Sequence, residues 1–135
     1  MRKLFILSLI LLPILVHSES RGFLYKKGND YYFEGNGRSS PDIANKTQRL
    51  SLANEAAVMD GKAKIAFYID SLKAKRGANA AEIKENDEKS KDRVKMILDG
   101  VETVKTEFDD DDNCRAILKI NYKNMMKTLR QASDY

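Results

Sequence analysis

The chain has 135 residues, and its 24 lysine and arginine residues outnumber its 20 acidic residues by four. Basic and acidic side chains are interleaved along the sequence, and no basic stripe carries interspersed aromatic residues, so nucleic-acid binding has little support. The length suits one domain with a modest hydrophobic core.

A secretory signal is predicted for residues 1–18. Arg2 and Lys3 precede the uncharged apolar run 4–16, and a polar stretch follows that run. The apolar run is shorter than the ~20 residues of a membrane-spanning helix, and Pro13 interrupts it. We therefore expect an exported chain without a transmembrane span, located in the periplasm or outside the cell.

Removal of the signal also limits the chemistry of the mature chain. Cleavage after Ser18 or after Ser20 fits the small residues that a signal peptidase reads, and both sites stay open. His17, the one histidine, leaves with the signal, which excludes histidine-based catalytic triads and the usual imidazole zinc sites. Cys114 is the one cysteine; we expect it on the core side of a strand, with a disulfide between two chains as the alternative. The sequence thus predicts a protein that is not an enzyme and holds no cofactor.

Residues 19–30 form a lead-in before a single domain that spans residues 31–135. The lead-in has room for one short strand and ends in the turn-like sequence Gly-Asn-Asp at 28–30. The β-prone run 31–34 is the first strand of the domain.

Gly35 and Gly37 follow that strand and precede a helix, which invites comparison with a phosphate-binding turn. The third glycine of a dinucleotide-binding turn is missing, and no second strand completes a βαβ unit. We interpret the two glycines as a tight turn between strand and helix. Arg38 beside Ser39 and Ser40 is a further candidate for holding an anion near the helix start.

A long helix that ends near Lys75 is the most strongly indicated element. Ser40 with Pro41, or Asn45 with Gln48 three residues on, supplies its start. Its interior has no proline and one glycine, and alanines recur among larger apolar residues. Because apolar residues cover most of its circumference, we expect it to be buried on more than one side.

Three sets of residues organise the surface of this helix. A packing face that would let a sheet or a partner helix approach closely is formed by Ala53, Ala57 and Gly61. A narrow polar stripe is formed by Glu55, Lys62 and Lys73. Asp60 and Lys64 lie one turn apart, in the order that favours an ion pair along a helix.

The rest of the chain is predicted to form a short helix, a hairpin and a closing helix. The short helix spans about 87–98 and ends at Gly100, the hairpin strands are 101–108 and 114–122, and the closing helix is 123–131. In each strand alternate residues are expected in the core, namely Val104, Thr106 and Phe108, then Cys114, Ala116, Leu118, Ile120 and Tyr122.

The hairpin loop carries the candidate metal ligands Asp109, Asp110, Asp111 and Asp112. Calcium prefers carboxylate ligands, but this run lacks the glycine and the spaced acids of an EF-hand loop. We favour a solvated tip that keeps the strands from pairing with other sheet edges.

The elements predict an α+β fold in the order strand, long helix, short helix, strand, strand, short helix. The long helix is expected to pack on a small antiparallel sheet.

The stretches YYFEGNGRSS, LANEAAVMDGKAKIAFYI, VETVKTEF and CRAILKINY resemble the bacterial lipoprotein-20 family, which includes flagellar basal-disk lipoproteins and is akin to the amino-terminal domain of flagellar assembly protein T. The resemblance covers residues 31–129 through loose motifs. It implies a cell-envelope protein that works by association, and it offers no catalytic residues. Members are commonly anchored through a lipidated cysteine at the end of the signal; residues 14–20 contain none, so no lipid anchor is expected.

The functional prediction is an exported, non-enzymatic envelope protein that self-associates or docks on an envelope or flagellar assembly, at the outer membrane or the flagellum. The alternative is a periplasmic module that binds calcium or a small ligand, through the four-aspartate loop or a groove beside residues 35–40.

Overall fold

The computed structural model of the chain describes residues 22–75 and 87–130. Residues 1–21 with the predicted signal, residues 76–86, the last five residues, and the side chains of residues 73–75 (among them Lys73) and 87–89 lie outside the described part. The elements, in chain order, are β1 (Phe23–Lys27), β2 (Asp30–Gly37), α1 (Lys46–Lys75), α2 (Asp87–Asp99), β3 (Glu102–Phe108), β4 (Cys114–Asn121) and α3 (Tyr122–Arg130). The α+β class and the predicted order are confirmed, with β1 as the strand of the lead-in.

The four strands form one antiparallel sheet in the order β1-β2-β4-β3. The two central strands, β2 and β4, pair along their whole length, from Asp30 opposite Asn121 to Gly37 opposite Cys114. Helix α1 lies across these two strands on one side of the sheet, which we call the inner face. Among the described residues, none of the helices combines the length and the apolar character that spanning a membrane requires.

The core lies between α1 and the inner face. Its largest fully buried side chains are Phe33, Ile65, Ile69, Leu118 and Met125. Each side chain of this size contributes roughly 1.5–3 kcal/mol by leaving water. In β4 the predicted alternation is present, because Cys114, Ala116, Leu118 and Ile120 are buried and the residues between them are half-buried.

The predicted core residues of β3 are not in the core. Val104, Thr106 and Phe108 are exposed, and so is most of the strand. Strand β3 is the outer neighbour of β4, and α1 is centred over β2 and β4, so little covers β3. An irregularity in the pairing with β4 falls between Thr103 and Lys105, so Val104 also leaves the regular alternation.

Helix α1 begins at the second of the two predicted starts. Asn45 Oδ1 accepts a hydrogen bond from the Gln48 N–H at 3.1 Å, as an N-cap does. The start at Ser40 with Pro41 is wrong, because the chain is still irregular there: the Ser39 N–H donates to Asn113 Oδ1 at 2.9 Å.

Gly35 and Gly37 do not form a turn; both belong to β2 and point at α1. A methyl group on Gly35 would overlap the carbonyl oxygen of Ala57, and one on Gly37 would overlap that of Ala53. The two backbones are therefore in direct contact, which requires glycine in the strand and small residues in the helix.

We expect Gly35→Ala to destabilise the fold by at least about 2–3 kcal/mol, because helix α1 would have to move away from the sheet. Gly100→Ala is the matched control, since the nearest atom would lie 3.6 Å from the added carbon. Chemical denaturation of both variants measures the difference, and equal stabilities would contradict the close contact.

Candidate association surface

The predicted packing face of α1 is used within the chain. Ala53 and Ala57 have no exposed surface, and Gly61 is buried against Gly35 and Leu118. This face lies on β2 and β4, so it is closed to a second protein in the folded chain.

The predicted pair of Asp60 and Lys64 fastens α1 to the edge of β2. Asp60 Oδ2 lies 2.7 Å from Lys64 Nζ and accepts a hydrogen bond from the Asn36 N–H at 2.8 Å. Lys64 Nζ in turn donates to the Glu34 carbonyl oxygen at 3.2 Å. Strand β1 starts at Phe23, opposite Phe33, so it does not pair with β2 beyond that residue. Asp60 and Lys64 of the helix supply the hydrogen-bond partners there.

The ionised form of Asp60 is favoured by this arrangement. Burial by itself would raise the pKa of its carboxyl group, but the hydrogen bonds from Lys64 and Asn36 and the charge of Lys64 outweigh burial. Together they hold the pKa of Asp60 below its usual value of 3.8.

The opposite side of α1 carries an exposed apolar stripe. Its large members are Leu52, Met59 and Phe67, whose exposed fractions are 43%, 71% and 57%. Ala56 and Ala63 are also exposed and lie between them, at steps of three or four residues. We call these five residues the α1 stripe; they form a continuous apolar surface about 22 Å long.

Two charged residues border the α1 stripe on the same flank, Glu55 and Lys62. Glu55 is exposed and Lys62 is half-buried. Within the described residues neither has a hydrogen-bond or ion-pair partner. They are seven residues apart, too far along the helix to pair with each other.

The outer face of the sheet is a different kind of surface, because its charges pair across the strands. Arg115 Nε lies 2.8 Å from Glu34 Oε2, and its Nη1 lies 3.3 Å from Glu107 Oε2. Lys119 Nζ lies 3.1 Å from Glu102 Oε2 on the neighbouring strand. Such a ladder of satisfied charges is typical of a sheet face in contact with water.

The four-aspartate loop is organised by its own hydrogen bonds. Asp109 Oδ1 accepts hydrogen bonds from the N–H groups of Asp111 and Asn113, both at 2.9 Å. The hydrogen bonds from Asn113 are the main reason that the pKa of the Asp109 carboxyl group is lowered. Asp112 has φ of 60° and its Oδ2 lies 3.1 Å from Arg49 Nη2 of α1. In the described residues, no group of three or more acidic, cysteine or histidine side chains is placed to hold a metal ion. The first and last aspartates are turned to the backbone and to Arg49, and they do not converge on one point.

Two side chains with acid–base or nucleophilic chemistry, Cys114 and Tyr68, are held in their protonated forms. Cys114 is buried, which raises the pKa of its thiol, and its nearest polar partner is Asn54 Oδ1 at 3.8 Å. Burial, with the neighbouring Tyr31 and Tyr122, raises the pKa of Tyr68 to about 12. The predicted core position of Cys114 agrees with its 3% exposure, which also keeps it from a partner thiol in the folded chain.

Comparison of the chain with protein-family models, with curated proteins and with solved structures finds no match. The resemblance to the lipoprotein-20 family therefore stays a prediction that rests on the residues quoted for it.

We expect Asp60→Asn to lower stability at pH 7 by about 0.5–1 kcal/mol, because it removes the charge and keeps an oxygen for the Asn36 N–H. A carboxyl group with a lowered pKa stabilises the fold above its unfolded pKa, and this contribution is lost as the pH falls through its folded pKa. The effect should thus shrink when denaturation is measured near pH 2. Asp70→Asn, on the exposed side of the same helix, is the control; an equal loss for Asp60→Asn at both pH values would contradict the ion pair.

Calcium at millimolar concentration should raise the melting temperature by less than about 1 °C, because it would have to displace amide donors from Asp109 and Arg49 from Asp112. Calorimetry and thermal melting test this. A rise of several degrees that Asp111→Asn abolishes would instead support the calcium-binding alternative.

Proposed function

We propose that this chain is an exported, non-enzymatic cell-envelope protein that works by binding another protein through the α1 stripe. The observation that carries the proposal is the exposure of Leu52, Met59 and Phe67 in one row on the side of α1 that faces away from the sheet. Large apolar side chains that form a continuous exposed patch are typical of interaction sites, whereas single exposed ones are ordinary.

The directions of the pKa shifts also favour an association role over catalysis. Cys114 and Tyr68 are held in their protonated forms by burial, and Asp60, Glu107 and Asp109 are held in their ionised forms by hydrogen bonds and neighbouring charges. A carboxyl group that acts as a general acid requires a raised pKa, and a cysteine nucleophile requires a lowered one, so these shifts have the opposite directions.

The proposed location in the cell envelope rests on the amino-acid sequence. The predicted signal at residues 1–18 supports export, and the resemblance to the lipoprotein-20 family supports a role at the outer membrane or in a flagellar assembly.

Site-specific photo-crosslinking in cells that produce the full chain tests the proposal. A photoreactive residue is placed at Met59, and the matched control is placed at Met96, a methionine of α2 that is 65% exposed. We expect protein adducts from position 59 in the envelope fraction and few from position 96. A chain that stays in the cytoplasmic fraction, or equal yields at the two positions, would contradict the proposal.

A further inference from the structure

The α1 stripe has a symmetric order of side-chain sizes. Reading from the amino-terminal end, it runs large, small, large, small, large: Leu52, Ala56, Met59, Ala63, Phe67. Met59 lies at the centre, the alanines lie three residues before it and four after it, and the two end residues are seven before and eight after. When a second copy is rotated by 180° so that the two helices are antiparallel, large residues of the row face large residues and alanines face alanines.

The charges beside the stripe have a matching arrangement. Glu55 lies four residues before Met59 and Lys62 three residues after it, on one flank. In a two-fold antiparallel pair of helices, the same flank of both copies meets along the contact. Glu55 of each copy then lies opposite Lys62 of the other, which gives a partner of opposite sign to two charges that have none within the described residues.

We infer that the protein bound by the α1 stripe is a second copy of this chain, with the two α1 helices antiparallel and the two-fold axis beside Met59. In this dimer Leu52 meets Phe67, Ala56 meets Ala63, and Met59 meets its own counterpart. The small residues let the helices approach to the usual 8–10 Å or slightly less. The inference rests on the proposed function, because it names the partner of the same surface.

Self-pairing explains features that a different partner would leave as coincidence. A partner of unrelated sequence has no need for a stripe whose residue sizes repeat in both directions from Met59, or for one acid and one base on opposite sides of that centre. An isologous contact needs both, since each residue on one side of the axis must suit its counterpart on the other. The contact involves about four helical turns, so we expect a dissociation constant in the micromolar range.

Analytical ultracentrifugation of the chain as the cell produces it tests the dimer. We expect a monomer–dimer equilibrium between about 1 and 500 µM, with the weak affinity typical of small interfaces. Met59→Lys should weaken it at least about thirtyfold by placing two like charges on the axis, whereas the control Met96→Lys should leave it unchanged.

Charge exchange separates a second copy from any other partner. Glu55→Lys and Lys62→Glu should each weaken the dimer roughly tenfold, because each turns two attractive pairs into two repulsive ones. The double variant should return to within about threefold of the starting affinity, and an equimolar mixture of the two single variants should form a heterodimer tighter than either homodimer. Melting curves verify that the variants are folded.

A chain that is monomeric up to about 500 µM, or a dimer that Met59→Lys does not weaken, overturns the inference. So does a double variant that fails to recover. If one of these results is found while Met59 still crosslinks to a different envelope protein, the inference fails and the proposed function stands. If Met59 gives no adduct at all, both fail.

Discussion

The contact between the backbones of α1 and β2 is the constraint on which the rest of the structure depends. Gly35 and Gly37 leave no side chain between strand and helix, and Ala53, Ala57 and Gly61 leave almost none on the other side. Close-packed interiors tolerate few voids and few overlaps, so a contact this close permits one position and one rotation of the helix. Asp60 and Lys64 help to hold the helix in that rotation, because they bind backbone groups of β2 at Asn36 and Glu34.

The rotation of α1 decides which residues face water. Because Ala53, Ala57 and Gly61 point at the sheet, the residues half a turn away point outward, and these are the members of the α1 stripe. The exposed row is thus a consequence of the small-residue face. A large residue at Ala57 would change the outward set as well as the core.

Sequence patterns predicted the helices and strands of this fold better than they predicted which face of each is buried. The length of α1, its small-residue face and the alternation in β4 follow from local regularities in which period and burial agree. The exposure of Val104 and Phe108 did not follow, because an edge strand and a central strand have the same alternation until the sheet order is known. The predicted turn at Gly35 and Gly37 was wrong for a related reason. Two glycines one residue apart are typical of a turn, but they are equally suited to the face of a strand that contacts a helix backbone.

The α1 stripe could be predicted only in part from the sequence. An excess of apolar residues around α1 indicated burial on more than one side, but the pattern did not separate those that contact the sheet from those left exposed.

The structure also distinguishes two charged surfaces that composition alone does not distinguish. On the outer face of the sheet, Arg115 and Lys119 already have carboxylate partners within the chain. On α1, Glu55 and Lys62 have none among the described residues, and they border large apolar side chains. Charges that are already paired would lose hydration in an interface without gaining a new partner, whereas charges without partners beside an apolar row gain from one. This difference between the two surfaces supports the proposal that the α1 stripe, and not the outer face of the sheet, is the surface that binds a protein.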